Sequence, residues 1–337
     1  MHQTIHQTIS HHALLKWYSP STKLIERLIY PVFVSTEENC YEDLMYLPGQ
    51  KRIGTKRLYN HLKPLVDGGL QSIILFISSD SIHKDEEGSF ADDSVNPVIK
   101  AIGLLKEWFP RLLIACDVCV CAYTSHGHCG LTLANGNIDN SRSIKRLADI
   151  ALAYAQAGCD VVAPSDMMDN RVMAIKEILR ANSLSSTVSI LSYAAKFHSS
   201  LYTPFRKVSS SSPLYGDRSK YQLPFESHSV AMKSIVSIIT LFHKKRDIEE
   251  GADFIIVKPG LFYLDIVCKA KELFPFTPVA VYQVSGEYAA IYHASKAGIL
   301  DLDQTIHEYL SGCIRAGASM IITYFVPQII FNKNHEY

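Results

Sequence analysis

Glu250–Pro259, EGADFIIVKP, is the stretch from which the fold can be read. A helix commonly ends at a glycine in the left-handed conformation, so Gly251 closes a helix and an apolar run starts directly behind it. The run does not alternate apolar with polar residues, which is the pattern of a strand buried on both faces of a parallel sheet. The same helix end, glycine and apolar run recur in GGLQSIILFIS from Gly68, AGCDVVAPS from Ala157 and AGASMIITYF from Ala316. LIYPVFV (28–34), LLIACDVCV (112–120), VSILSYAAKF (188–197) and VAVYQV (279–284) bring the runs to eight. Helical stretches at 97–109, 142–157, 171–181, 263–274 and 303–316 fall between most of them. Eight strands alternating with helices predict an α/β protein, a closed (β/α)8 TIM barrel over residues 28–330. A doubly wound open sheet is the alternative, but no G-x-G-x-x-G follows any run.

Outside the barrel, residues 1–27 form an N-terminal arm. Its first 22 residues are polar and His-rich, with a small HQTI-HQTI repeat, and predict a floppy tail. The segment 35–60, with its Pro48-Gly49 turn, is expected to be a plain connection. Lys plus Arg and Asp plus Glu are 33 each, so the formal charge is zero and neither a nucleic acid nor an anionic membrane is the expected partner. Near-zero charge favours self-association instead. Half of the eight cysteines crowd between positions 116 and 129, which fits a reducing compartment and a metal or redox role rather than a disulfide framework. No basic-then-apolar leader opens the chain, and no run reaches the roughly 20 apolar residues of a membrane span. A soluble intracellular protein is the expectation.

In such barrels the reactive groups gather at the C-terminal ends of the strands. After the third run comes CDVCVCAYTSHGHCG (116–130), in which Cys119, Cys121 and Cys129 are spaced C-x-C-x7-C. Three thiolates leave a fourth tetrahedral position open, as in a catalytic zinc site, although small buried residues at a strand end would also read this way. Ser165-Asp166 follows the fourth run and Ser285-Gly286-Glu287 the seventh, and Tyr324 ends the eighth. Lys196 ends the fifth run and Lys258 the sixth. A lysine at the apolar end of a core strand is costly unless it is paired or neutral. Two on neighbouring strands, about 4.8 Å apart, can depress one another's pKa and supply a free amine that attacks a carbonyl. The alternative is a pair of buried ion pairs with Asp117 or Asp166. Between these two runs lies a Ser-, Pro- and Tyr-rich stretch, about 199–222, with Arg206 and Arg218. It reads as a long loop, either a lid whose arginines take a carboxylate or a solvated connection.

CDVCVCAYTSHGHCG, VVAPSDMMDNRV, SYAAKF, PFR, GDR, YQLP, EGADFIIVKPG, YLDIV, VSGEYA and IITY together resemble the porphobilinogen synthase (5-aminolevulinate dehydratase) family, from about Leu28 to Gln328. The resemblance implies a lyase of the cytosol that condenses two molecules of 5-aminolevulinate to porphobilinogen, with loss of water, in tetrapyrrole and heme biosynthesis. It also implies a homo-octamer built through the N-terminal arm. Lys196 and Lys258 would be the Schiff-base lysines. Lys258 is expected at the subsite whose carboxylate meets Arg206, Arg218 and Gln222, and Lys196 at the subsite of Ser285 and Tyr324. Asp117 would position a substrate amine. Cys119, Cys121 and Cys129 would bind Zn2+. A catalytically impaired zinc-binding oligomer on the same scaffold is the alternative, and a class I aldolase leaves the thiols and the second lysine unexplained. Lys220 stands where zinc-dependent members can carry a further cysteine, which argues against a second metal position at His128. Asn170 replaces the glycine of MMDGR. The segment 225–247 is longer than usual and lacks the usual Gly-Arg; Val230, Ile235, Ile238, Ile239 and Phe242 predict a helix on the outer ring, and the β-branched run is expected to affect assembly more than chemistry.

Overall fold

The computed structural model describes residues 10–19, 22–78, 81–235 and 247–332. Its ten strands are β1 (Leu28–Ser35), β2 (Tyr41–Asp43), β3 (Lys51–Gly54), β4 (Ser72–Ile77), β5 (Leu113–Val118), β6 (Val161–Pro164), β7 (Ser189–Lys196), β8 (Phe254–Lys258), β9 (Val279–Tyr282) and β10 (Met320–Ile322). β1 and β4 to β10 pair in chain order, all parallel, and Leu28↔Ile321 with Ile29↔Ile322 closes the ring. Each of the eight apolar runs holds one of these strands, and the closed (β/α)8 barrel is the observed fold. All residues of β1, β4 and β6 to β10 are buried, as expected for strands with barrel interior on one side and helices on the other.

The ring helices include Pro97–Trp108, Asn140–Gln156, Arg171–Ala181, Leu264–Leu273 and Leu302–Arg315, within a few residues of the predicted spans. Side-chain caps fix two of their starts: Asp139 accepts from Arg142 N at 3.1 Å and Asp301 from Gln304 N at 2.8 Å. The glycines that precede the strands have the positive φ their role requires, 102° at Gly158, 111° at Gly251 and 102° at Gly317.

Two expectations change. Segment 35–60 is no plain connection: β2 and β3 form an antiparallel hairpin, and β3 lies parallel to the end of β1 through Phe33↔Arg52. Strands this short, with Tyr41, Glu42 and Asp43 all exposed, leave no apolar pattern to detect. Nor is the N-terminal tail floppy where it is described. His12–Tyr18 is a helix that buries Ala13, Leu14 and Trp17, and Trp17 meets Phe254 edge-on with ring centroids 5.1 Å apart. Phe254 begins β8, so this helix covers the end of the barrel opposite the lysines. In the segment 225–247, His228–Ile235 is helical as expected. Ile238, Ile239 and Phe242 lie outside the described residues.

Candidate active site

Lys196 and Lys258 are the last residues of β7 and β8, and they are register partners across the pair. Each is 6% exposed. Lys196 Nζ donates to the Ser165 carbonyl at 2.5 Å. Lys258 Nζ stands 3.9 Å from the centre of the Tyr282 ring, with Tyr193, Tyr202 and Phe205 within 5.4 Å. Burial first, then the charge of Lys196, bring the Lys258 amine down to about 7. The ion-pair alternative fails among the described residues: Asp166 faces Arg171 at 3.6 Å, and neither lysine forms a salt bridge. Asp117, on β5, is near enough for both lysines to pull its carboxyl down, but burial prevails and raises it.

Beyond β5, the backbone bends so that the sulfurs of Cys119, Cys121 and Cys129 lie within 4.8 Å of one another, all three residues buried. Cys119 Sγ donates to Cys121 Sγ at 3.2 Å. Hydrogen bonds from Cys119 and Cys121, then the charges of Arg218 and Lys196, hold Cys129 well below an ordinary thiol, while its hydrogen bonds to Cys121 and Cys129 push Cys119 up. Zinc–sulfur bonds of about 2.3 Å place thiolates a little under 4 Å apart, so this donor set fits the ion. Among the described residues no comparable donor set gathers at His128, whose ring nitrogens meet the Tyr221 hydroxyl at 3.2 Å and the Tyr215 carbonyl at 3.0 Å. Lys220 reaches Asn137 instead, at 3.2 Å.

The stretch 199–222 is only partly a loop, since Ser200–Tyr202 is a 3-10 turn and Thr203–Val208 a short helix. It lies over the strand ends. Phe205 and Ser209 join Asp117, Cys119 and Cys121 around a narrow cavity. Arg218 is buried and donates to the carbonyls of Gly127, at 3.0 Å, and Ser211. Its Nε, together with Arg206 Nε and Nη2 and both amide atoms of Gln222, is buried without a hydrogen-bond partner. Burial and the charge of Arg218 push the Arg206 guanidinium down. Two like charges, Arg218 buried and Arg206 half-buried, with unused donors turned inward are the complement of an anion.

Ser285 opens the helix Ser285–Lys296 after β9. Its Oγ accepts from Phe205 N at 3.0 Å and donates to the Leu201 carbonyl at 3.2 Å, so it also latches the stretch 199–222. Tyr324 is buried two residues beyond β10, with its hydroxyl 3.3 Å from that of Tyr282. Since Tyr282 is also the ring beneath Lys258, the geometry groups Lys258 with Tyr324 and Ser285. Lys196 faces Ser165 and the charge of Cys129. This grouping differs from the expected pairing of Lys258 with the arginines, and it arises because β8 adjoins β9 whereas β7 adjoins β6. Glu287, grouped with Ser285 in the sequence but given no role there, accepts from Val284 N and Leu261 N at 2.7 Å and from Gly260 N at 3.4 Å. It thereby ties the turn after Lys258 to the Ser285 helix. Asn170 has a φ of 66°, which accounts for a glycine or asparagine there.

Fold and site define a barrel-fold enzyme with two buried strand-end lysines beside a three-thiol cluster. The chain belongs to the delta-aminolevulinic acid dehydratase family, whose pattern it matches over residues 2–331. It is 47% identical over 327 residues to the delta-aminolevulinic acid dehydratase of Pongo abelii, covering 97% of this chain and 96% of that protein. With the Schizosaccharomyces pombe enzyme the identity is 44% over 328 residues, 97% of this chain and 96% of the other. The crystal structure of the Toxoplasma gondii enzyme in complex with its reaction product porphobilinogen superposes with a TM-score of 0.86 at 32% identity, covering 98% of this chain and 91% of that one.

Proposed function

We propose that this chain is a zinc-dependent porphobilinogen synthase that condenses two molecules of 5-aminolevulinate through imines on Lys258 and Lys196. The observation that carries this reading is the register pairing of two buried lysines, one brought down to about 7 and thus substantially a free amine near neutrality. That amine adds to the ketone carbon of a substrate; the C–O bond breaks, and water leaves as the C=N bond forms. Tyr282, Tyr193, Tyr202 and Phe205 keep bulk water from the imine. Ser285 and Tyr324 are the hydroxyls available to the carboxylate of the substrate on Lys258, and Arg206, Arg218 and Gln222 offer unused donors to the other. Asp117, within the field of both lysines, would hold a substrate amine.

Cys119, Cys121 and Cys129 would hold a zinc ion, which supplies Lewis acidity at its open position. The eight cysteines are all unpaired, in keeping with a cytosolic enzyme. Among the described residues no helix is long and apolar enough to cross a membrane. A homo-octamer contacted through the arm 1–27 completes the reading, and sedimentation of the purified protein tests it. The activity is tested by incubating the protein with 5-aminolevulinate and assaying the pyrrole. Product formation lost with a chelator and restored by zinc is expected; full activity in a metal-free Cys119→Ala, Cys121→Ala variant overturns the metal assignment.

A further inference from the structure

β7 takes three residue steps, from Ser192 to Ala195, where β8 takes two, from Ile255 to Val257. This one-residue surplus is a β-bulge, uncommon between parallel strands, and it lies immediately before Lys196. Its consequence follows from the period of a strand. Tyr193 and Lys196 are three positions apart, so strict alternation would send them to opposite faces of the sheet. Yet the Lys196 ammonium lies 5.6 Å from the centre of the Tyr193 ring, and the same ring lies 5.1 Å from Lys258 Nζ. The bulge reverses the parity and turns Lys196 toward Lys258.

A bulge leaves backbone groups outside the ladder, and here side chains from two other elements take them. Arg171 Nη2 donates to the Tyr193 carbonyl at 3.1 Å, and Ser234 Oγ donates to the Ala194 carbonyl at 2.6 Å. Arg171 is itself fixed by a two-pronged pair with Asp247, 2.9 Å on each prong, and Ser192 Oγ donates to the same carboxylate at 2.7 Å. Arg171, Ser192, Ser234 and Asp247 are all buried, and none lines the narrow cavity around Asp117, Cys119 and Cys121.

We infer that Ser234 and the Arg171–Asp247 pair are positioning residues that hold the β7 bulge and thereby aim Lys196 at the substrate. The inference rests on the two-lysine reading above. If the clamp loosens, the strand can slip back toward regular alternation, and Lys196 turns away while Lys258, on the unbulged strand, keeps its place.

The test compares Ser234→Ala and Ser234→Thr with the parent protein, all loaded with zinc. Each is mixed with 5-aminolevulinate and borohydride, and the adducts on the Lys196 and Lys258 peptides are counted separately by mass spectrometry. Ser234→Ala is expected to lower trapping on Lys196 roughly tenfold while that on Lys258 stays near the parent level. Ser234→Thr, which keeps the hydroxyl, should restore the parent ratio. Arg171→Lys, which retains the charge but loses the two-pronged pair, should shift the ratio in the direction of Ser234→Ala. An unchanged ratio in Ser234→Ala, or an equal fall on both lysines, overturns the inference and leaves the two-lysine reading standing. Absence of adduct on both lysines of the parent overturns the two-lysine reading, and the inference falls with it.

Discussion

Lys258 carries the clearest electrostatic signature in the chain. Its amine is brought to about 7 by burial and by Lys196, against an ordinary value near 10.5. Imine formation with 5-aminolevulinate should therefore rise with pH through about 7 and level off above it, in a rapid borohydride-trapping series. The same shift has a stability consequence of definite sign. Between about 7 and 10 the folded protein leaves Lys258 unprotonated while the unfolded chain protonates it, so stability rises with pH across that window. Lys258→Met should abolish imine formation at this position and should remove that rise, leaving the variant with a higher melting temperature than the parent at pH 7. Equal parent and variant slopes across the window, measured by denaturant unfolding, would falsify the depressed value.

At the level of elements, the turn after β8, the Ser285 helix and the stretch 199–222 act as one assembly. A methyl group on Gly286 would lie 2.6 Å from the Leu201 carbonyl oxygen and 2.7 Å from its Cα, both of them backbone atoms of the stretch 199–222. Gly286→Ala should therefore push the Leu201 segment outward and break the Ser285 latch. We expect kcat/KM to fall roughly tenfold or more, with zinc content unchanged. Glu287 supports the same assembly from beneath, and burial raises its carboxyl to about 7. Glu287→Ala leaves the backbone N–H groups of Val284, Gly260 and Leu261 without their acceptor, a loss of about 2–3 kcal/mol in unfolding free energy. Wild-type stability in that variant would show that water replaces the carboxylate without cost. Neither role could be read from the sequence, because a Ser-Gly-Glu triplet at a strand end does not reveal which backbone groups fold back upon it.

Across the whole molecule, the barrel is closed at one end by chemistry and at the other by packing. Trp17 from the N-terminal helix and Phe254 from the start of β8 are both fully buried against one another. Trp17→Ala should cost about 3–5 kcal/mol, seen as a lower denaturation midpoint, while the spacing of the lysines at the far end and hence the trapping ratio remain unaltered. A change in that ratio would mean that the two ends of the barrel are coupled.

The eight strands, the five helices named between them and every candidate ligand and lysine were legible in the chain. Local rules governed them: glycine after a helix, unbroken apolar runs for strands buried on both sides, and reactive groups at the ends of those runs. The hairpin over 41–54 and the helix at 12–18 were not legible, since the hairpin's strands are too short and exposed to leave an apolar pattern and the helix packs on Phe254, remote in sequence. The same holds for the roles of Arg171, Ser234 and Asp247, which depend on a single extra residue in β7. Alternation along one strand can be read from that strand alone, but a bulge exists only relative to the neighbour it fails to match. Sequence by itself thus determined the barrel, the thiols and the two lysines, and tertiary structure decided which way Lys196 points and which side chains surround each lysine, because both depend on how adjacent strands register.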